Sequence, residues 1–258
     1  MDKIRWGIIG CGDVTEVKSG PAFQKIDNSD LIAVTSRNEH KAKDYAFRHN
    51  VSKWYSDPDL LIRDSEIDAV YIATPPDSHK QYTIKVAEAG KSVYVEKPMA
   101  RCHQECLEMI SSCRTNKVKL FTAYYRRSLP KFIKVKELIE SGRLGDIRTI
   151  LNLLYIPFKN LHTDSKNLPW RVKPEISGGG YFVDLASHTI DILQFILGSI
   201  IHTNGTAVNQ ANLYPAEDTV SANFIFEGGI TGIGIWCFTT NNHQDFIKIL
   251  YCVVSSSL

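Results

Sequence analysis

The sequence predicts an α/β protein in two parts, a doubly wound parallel sheet followed by an α+β unit with an open, mostly antiparallel sheet. Three observations carry this. Strand-length apolar runs alternate with helical segments over residues 4–123. The first run ends in Gly10-x-Gly12, a strand–turn–helix junction. Beyond Ala123 the alternation gives way to long extended segments separated by turn residues. Alternating strands and helices build βαβ units and a parallel sheet; extended segments joined by tight turns pair antiparallel. The domain boundary falls between residues 1–123 and 124–258.

In the first part, strands are expected at 4–9, 31–36, 69–73, 92–95 and 119–123, with helices at 15–24, 39–49, 79–89 and 103–115. Gly90 stands where a helix C-terminus favours a left-handed residue. In the second part Phe132, Ile133, Val135, Leu138 and Ile139 form one helix stripe closed by Gly142, with Lys131, Lys134 and Lys136 on the solvated side. Extended segments follow at 147–156, 203–213, 219–226 and 230–238, the last two joined by Glu227-Gly228-Gly229 as a hairpin. One long helix, 181–197, interrupts them and ends at Gly198.

Composition narrows the class. The 258 residues are 43% apolar and 22% charged, which is globular. A net charge of +2 gives no electrostatic reason to bind nucleic acid or an anionic membrane. No run approaches the roughly 18 apolar residues of a membrane span; the longest, 246–254, is strand-sized. The N-terminus lacks the basic, apolar and small-residue succession of a leader. Six scattered cysteines are no disulfide framework and fit a reducing cytoplasm. Cys102-His103-x-x-Cys106 with Cys113 has the look of a metal cluster but lacks a full ligand set. Its spacing places the three cysteines on one helix face as small core residues, so no metal is expected.

The glycine turn points to a dinucleotide. Gly10 permits the tight turn, and Gly12 lets the backbone approach a pyrophosphate where Asp13 and Val14 open the next helix. Thr15 replaces the third glycine of the usual fingerprint; the competing reading is a glycine turn with no ligand. An NAD site carries a carboxylate roughly 20 residues beyond the loop. Here Ser36 and Arg37 stand 24 and 25 residues after Gly12, with no acid before Glu39. Serine can donate to a 2′-phosphate and arginine can pair with it, which favours NADP over NAD; Arg37 could instead stack on adenine or face solvent. Thr74 and Pro75, with Pro76, stiffen a turn under the cofactor, and His79 caps, packs or touches it. Strand 92–95 delivers Glu96-Lys97-Pro98 to the carboxyl edge of the sheet, where ligands bind in open α/β folds.

A second cluster lies in Gly178-Gly179-Gly180-x-x-x-Asp184-x-x-x-His188, with Asp191 three residues on. In a regular helix these ionisable groups share one face. They line a pocket, or they are the wet side of a helix with a satisfied core histidine. The glycines allow another backbone to approach closely.

Taken together, Gly10-x-Gly12, Ala73-Thr74-Pro75, Glu96-Lys97-Pro98 and the Gly178–His188 motif resemble the Gfo/Idh/MocA oxidoreductases, named for glucose–fructose oxidoreductase and inositol dehydrogenase. The resemblance implies an N-terminal Rossmann domain and a C-terminal domain whose open sheet carries substrate and subunit contacts, hence a homo-oligomer if that sheet is complete. It implies Lys97, Asp184 and His188 as the catalytic group, Glu96 and Lys97 beside the cofactor, and a sugar, sugar derivative or cyclic polyol as substrate. Lys97 would stabilise negative charge on the substrate oxygen, His188 would exchange the hydroxyl proton, and Asp184 or Asp191 would orient the imidazole. By the same resemblance Arg127 and Trp170, in Tyr125-Arg126-Arg127 and Trp170-Arg171, line the substrate; packing or salt bridges are the competing reading. Members of the family usually continue past a segment like 245–250 into further strands. A shifted or truncated 3′ end, or a genuinely short variant, would give such an early end, and missing strands would leave an apolar sheet edge exposed. The competing functions are a non-catalytic dinucleotide-dependent sensor and an inactive product; retention of Lys97, Asp184 and His188 favours the enzyme.

Overall fold

The computed structural model describes residues 3–158 and 167–252. The chain divides into two compact units, Met1–Ala123 and Tyr124–Leu258. In the first, six parallel strands run in the order β3-β2-β1-β4-β5-β6. These are β1 (Ile4–Ile9), β2 (Ser29–Thr35), β3 (Lys53–Tyr55), β4 (Ala69–Ile72), β5 (Ser92–Val95) and β6 (Leu120–Thr122). The order reverses at β1 and β4, so the turns after these strands stand at the topological switch point. Both faces are apolar, as a sheet covered on two sides requires. One core gathers Ile9, Val70, Ile72, Val93 and Met109; the other gathers Ile8, Val34, Tyr45 and Tyr71.

The helices of this unit are α1 (Asp13–Val17), α2 (Ser19–Lys25), α3 (Glu39–Arg48), α4 (Pro58–Arg63), α5 (His79–Glu88) and α6 (His103–Thr115). Periodicity at 15–24 predicts one helix where there are two. Pro21 has no N–H to give the Val17 carbonyl, so the ladder restarts. The short β3 and α4 carry too few residues to show a period and are absent from the sequence expectation. The three cysteines do not share a helix face: Cys102 is the exposed N-cap of α6, Cys106 is half-buried and Cys113 buried. Among the described residues no group of three or more His, Cys, Asp or Glu could hold a metal ion, and no helix is long and apolar enough to cross a membrane.

The second unit holds α7 (Pro130–Glu140), α8 (Pro174–Ser177) and α9 (Ser187–Leu197). Its five strands are β7 (Asp146–Pro157), β8 (Ile200–Val208), β9 (Thr219–Phe226), β10 (Thr231–Thr240) and β11 (Gln244–Cys252), ordered β11-β7-β10-β9-β8. Only β7 and β10 pair in parallel; the 219–226 and 231–240 strands form the expected antiparallel hairpin. Ile150, Leu154, Phe224 and Trp236 on one face pack against Ala186 and Leu193, on and just before α9. The other face turns outward with Ile225, Ile233, Phe246 and Leu250 between 37% and 47% exposed. β8 stops at Val208, short of the expected 213, because Asp218 takes the chain out of the sheet. Its carboxylate accepts the backbone N–H of Gln210 at 3.1 Å and of Ala211 at 2.7 Å. Lys136 is not simply solvated, since its Nζ donates to Phe195 O at 2.8 Å and lies over that ring. Strand β11 forms one edge of the sheet; the tail 253–258, which figured in the expected abnormal end, lies outside the described residues.

Candidate active site

The glycine turn has the shape a dinucleotide requires. Gly10 has φ +107°, and a Cβ there would meet Ala73 O at 2.9 Å, so no other residue fits between β1 and β4. At Gly12 an added Cβ would meet nothing within 4 Å. That open approach to the backbone lies at the switch point, where ligands bind in open α/β folds. Thr15 replaces the third glycine by closing the turn itself: it is buried, and its Oγ1 donates to Gly12 O at 2.7 Å. Asp13 is exposed and Val14 half-buried at the start of α1.

After β2, Ser36 is half-buried and Arg37 exposed. Ser36 Oγ accepts the Asn38 N–H at 3.3 Å, and Asn38 caps α3 by accepting from Lys41 N at 3.2 Å. The Ser36 hydroxyl hydrogen is not engaged by that bond, and no carboxylate stands on this strand end.

Lys97 stands two residues past β5, after Glu96, in a half-buried turn whose Lys97-Pro98 peptide bond is cis. Glu96, expected beside the cofactor, turns its carboxylate inward. One oxygen accepts the Tyr71 hydroxyl and the other accepts the Lys97 N–H at 3.1 Å. Tyr71 is fully buried and stacks on Tyr94 at 5.2 Å; burial pushes its phenol well above the ordinary range. Sequence reasoning missed Tyr71, because a tyrosine inside an apolar strand reads as core. His79, expected as a cofactor contact, is fully buried instead. Its Nε2 faces Thr74 O at 2.7 Å, and its Nδ1 faces Pro98 O at 3.1 Å and Met99 O at 3.2 Å. Both ring nitrogens face backbone carbonyls and the ring is fully buried, which excludes direct contact with a ligand; a neutral ring donates from one of the two nitrogens at a time. Burial pushes the imidazole's pKa down, partly opposed by those carbonyls.

In the second unit the expected single helix 181–197 opens with a π turn, Phe182–Ala186, before α9. A π turn inserts an extra residue and is frequent at functional sites; the i, i+4 spacing of Asp184 and His188 therefore crosses two helical geometries. Asp184, His188 and Asp191 are each only 6% exposed. Asp184 Oδ2 accepts from Arg171 Nε at 3.1 Å, and Arg171 stacks on Trp170 at 4.4 Å. Arg171 is the partner the sequence reading passed over in favour of its neighbour Trp170. Asp184 and Arg171, with Tyr181, Leu185, Ile156, Pro157 and Phe238, line a cavity of about 330 Å³. The His188 ring is met edge-on by Tyr124 at 6.2 Å and Tyr125 at 5.4 Å.

Two expectations change here. Arg127 is bound by Asp191, its Nε lying 2.8 Å from both carboxylate oxygens, and Asp191 is thereby engaged by a guanidinium rather than by the His188 ring. The glycine run has a packing reason as well: a Cβ on Gly180 would lie 2.7 Å from Glu217 O, and Gly180 N–H donates to Glu217 Oε1 at 2.7 Å.

The first unit is thus a dinucleotide-binding domain of Rossmann type, with a lysine held at the cofactor edge. The oxidoreductase family with an NAD-binding Rossmann fold, Gfo/Idh/MocA, matches residues 4–124, and the C-terminal domain of that family matches residues 132–252. The chain is 41% identical over 246 residues to oxidoreductase P35 of Formosa agariphila, covering 94% of this chain and 75% of that protein. It is 27% identical over 235 residues to myo-inositol 2-dehydrogenase of Thermotoga maritima, covering 89% and 67%. The WlbA dehydrogenase of Bordetella pertussis, solved with NADH and UDP-GlcNAcA, superposes with a TM-score of 0.87 at 27% identity, covering 97% of this chain and 72% of that one. The chain belongs to the Gfo/Idh/MocA family and is an NAD(P)-dependent oxidoreductase.

Proposed function

We propose that the chain moves a hydride between a nicotinamide, NADP in preference to NAD, and a hydroxyl-bearing carbon of a sugar, sugar derivative or cyclic polyol. The observation that carries this is the placement of Lys97 just past the end of β5, on the sheet edge that also holds the open Gly10-x-Gly12 turn. Gly10 and Gly12 hold the pyrophosphate, while Ser36 and Arg37 take the 2′-phosphate. Thr74 and Pro75 shape the turn beneath it. Nicotinamide, when bound, supplies the site that accepts or gives the hydride. Lys97 hydrogen-bonds the substrate oxygen and stabilises its developing charge. His188 exchanges the hydroxyl proton, imidazole being the side chain suited to proton transfer near neutrality. Asp191 is engaged by Arg127 and Asp184 by Arg171; Asp184 orients the reacting groups together with Arg171, on which Trp170 stacks.

The relatives support the substrate class: one is named a myo-inositol 2-dehydrogenase and another, from Ensifer adhaerens, a 1,5-anhydro-D-fructose reductase. The cavity beside Asp184 is within the ~300–1,000 Å³ range of small-molecule sites. A panel of sugars and polyols followed by NADPH formation tests the reading. Lys97→Met is expected to lower turnover by about 100-fold or more with NADPH affinity nearly intact, and unchanged turnover refutes its role. Equal KM values for NADH and NADPH refute the NADP preference. The outward face of the five-stranded sheet, with Ile225, Ile233 and Phe246 exposed, is read as the seat of a second copy. A purely monomeric species in light scattering at about 50 μM would oppose that reading.

A further inference from the structure

We infer that His79 is a positioning residue for Lys97, acting through the Nδ1 edge of its ring. The inference rests on the role proposed for Lys97. Strands β4 and β5 are parallel neighbours, and each ends in a turn at the cofactor edge. The first turn contains Thr74 and the second contains Lys97 and Pro98. The backbone ladder between the strands runs one residue past β5, where Glu96 N–H donates to Ile72 O at 2.9 Å, and the two turns begin after it. There the ring of His79, the first residue of α5, lies between the two turns. Nε2 meets the Thr74 carbonyl at 2.7 Å, and Nδ1 meets the carbonyls of Pro98 at 3.1 Å and Met99 at 3.2 Å. The ring is 0% exposed, so water does not compete for these carbonyls. On the opposite side of the lysine, its own N–H is held by the Glu96 carboxylate, itself fixed by Tyr71.

The backbone of Lys97 is thus gripped before and after the side chain. A lysine has four rotatable side-chain bonds, so the direction of its ammonium depends on a fixed Cα. A displacement of about 1 Å at a catalytic group can cost about 100-fold in rate. A neutral imidazole carries a single N–H; with the proton on Nδ1 it donates into the turn of Pro98 and Met99, while Nε2 abuts the Thr74 carbonyl without donating to it.

The experiment compares His79→Ala, His79→Asn and His79→Gln in the full chain. An asparagine amide nitrogen falls where Nδ1 lies, and a glutamine amide nitrogen falls where Nε2 lies. Amide hydrogen exchange of the segment 96–101 reads the turn directly, and NADPH fluorescence titration reads the cofactor. Turnover is measured on whichever of myo-inositol, levoglucosan and 1,5-anhydro-D-fructose reacts fastest. For His79→Ala the expected result is about tenfold faster exchange in 96–101 with β4 and β5 unchanged. Its kcat should fall about 30- to 100-fold while NADPH affinity and substrate KM stay within about threefold. His79→Asn should recover most of both losses and His79→Gln little. Unchanged exchange in His79→Ala, or Gln rescuing as well as Asn, overturns the inference. If His79→Ala does not fold, the Asn and Gln comparison decides; if none of the three folds, the ring serves the fold and the inference fails. Lys97→Met run alongside separates the two readings. Unaltered turnover there rejects the role of Lys97, whereas the exchange data judge the His79 clamp alone.

Discussion

Replacing Arg127 by alanine distinguishes a structural from a substrate-binding guanidinium. Asp191 is 6% exposed as a side chain, and the guanidinium that neutralises it is 46% exposed. An exposed ion pair is worth about 0–1 kcal/mol, whereas removing one partner of a fully buried pair costs about 3–5 kcal/mol. This pair stands between, with a dry carboxylate and a half-wet partner. The loss is expected near 2 kcal/mol, since the orphaned carboxylate is buried while water had already discounted the guanidinium. Arg127 also lies over the Phe195 ring at 5.7 Å, so some packing is lost with it. At roughly 3 °C per kcal/mol for a domain of this size, the melting temperature should drop by about 6 °C in differential scanning calorimetry. Arg127→Lys should recover less than half, because a point charge cannot meet both oxygens as a planar fork does. In a cycle with Asp191→Asn, the double variant should lose clearly less than the sum of the singles. A melting temperature within about 1 °C of the parent, combined with a roughly tenfold rise in substrate KM, would refute this and restore Arg127 to the substrate wall.

Three further outcomes follow from local geometry. Gly180→Ala places a methyl 2.7 Å from Glu217 O; overpacking of this kind costs about 1–3 kcal/mol, and an unchanged melting curve would contradict it. The Arg48 guanidinium, aided by His49, holds the Glu16 carboxyl down at about 2. Its folded value is below the unfolded one of about 4.3, so this stabilisation is full above that pH and fades as pH falls towards 2. Glu16→Gln should flatten the dependence of melting temperature on pH across that window, and parallel curves would speak against the linkage. Burial pushes the Cys11 thiol up to about 12, so iodoacetamide at about pH 8 should spare it while alkylating exposed Cys102 and Cys252. Peptide mass spectrometry showing Cys11 labelled at a similar rate would count against that burial.

Much of the fold was legible because each long element repeats one pattern many times. Strand β5 and helix α6 have the predicted bounds, as does strand β9. The misses are local. Pro21 splits one helix, a π turn opens another, and the Asp218 carboxylate draws β8 out of the sheet, each a local event that leaves no period. At the site, glycines and Lys97 were legible because backbone strain and strand position are local matters. The partners were not. Tyr71 lies 25 residues from Glu96, Arg171 lies 13 from Asp184, and Arg127 lies 64 from Asp191.

By itself the sequence determined the order of the longer strands and helices, the glycine turn that admits a dinucleotide, and the lysine set just past the end of a strand. Those depend on residues adjacent along the chain, where propensity, periodicity and covalent geometry act directly. Only the tertiary structure decided what each ionisable group faces. His79 became a buried clamp between two turns, Arg127 the counter-ion of Asp191, and Glu96 an inward brace on the Lys97 backbone. Pairing of charges and filling of hydrogen bonds depend on distances through space, and those exist only once the chain has folded.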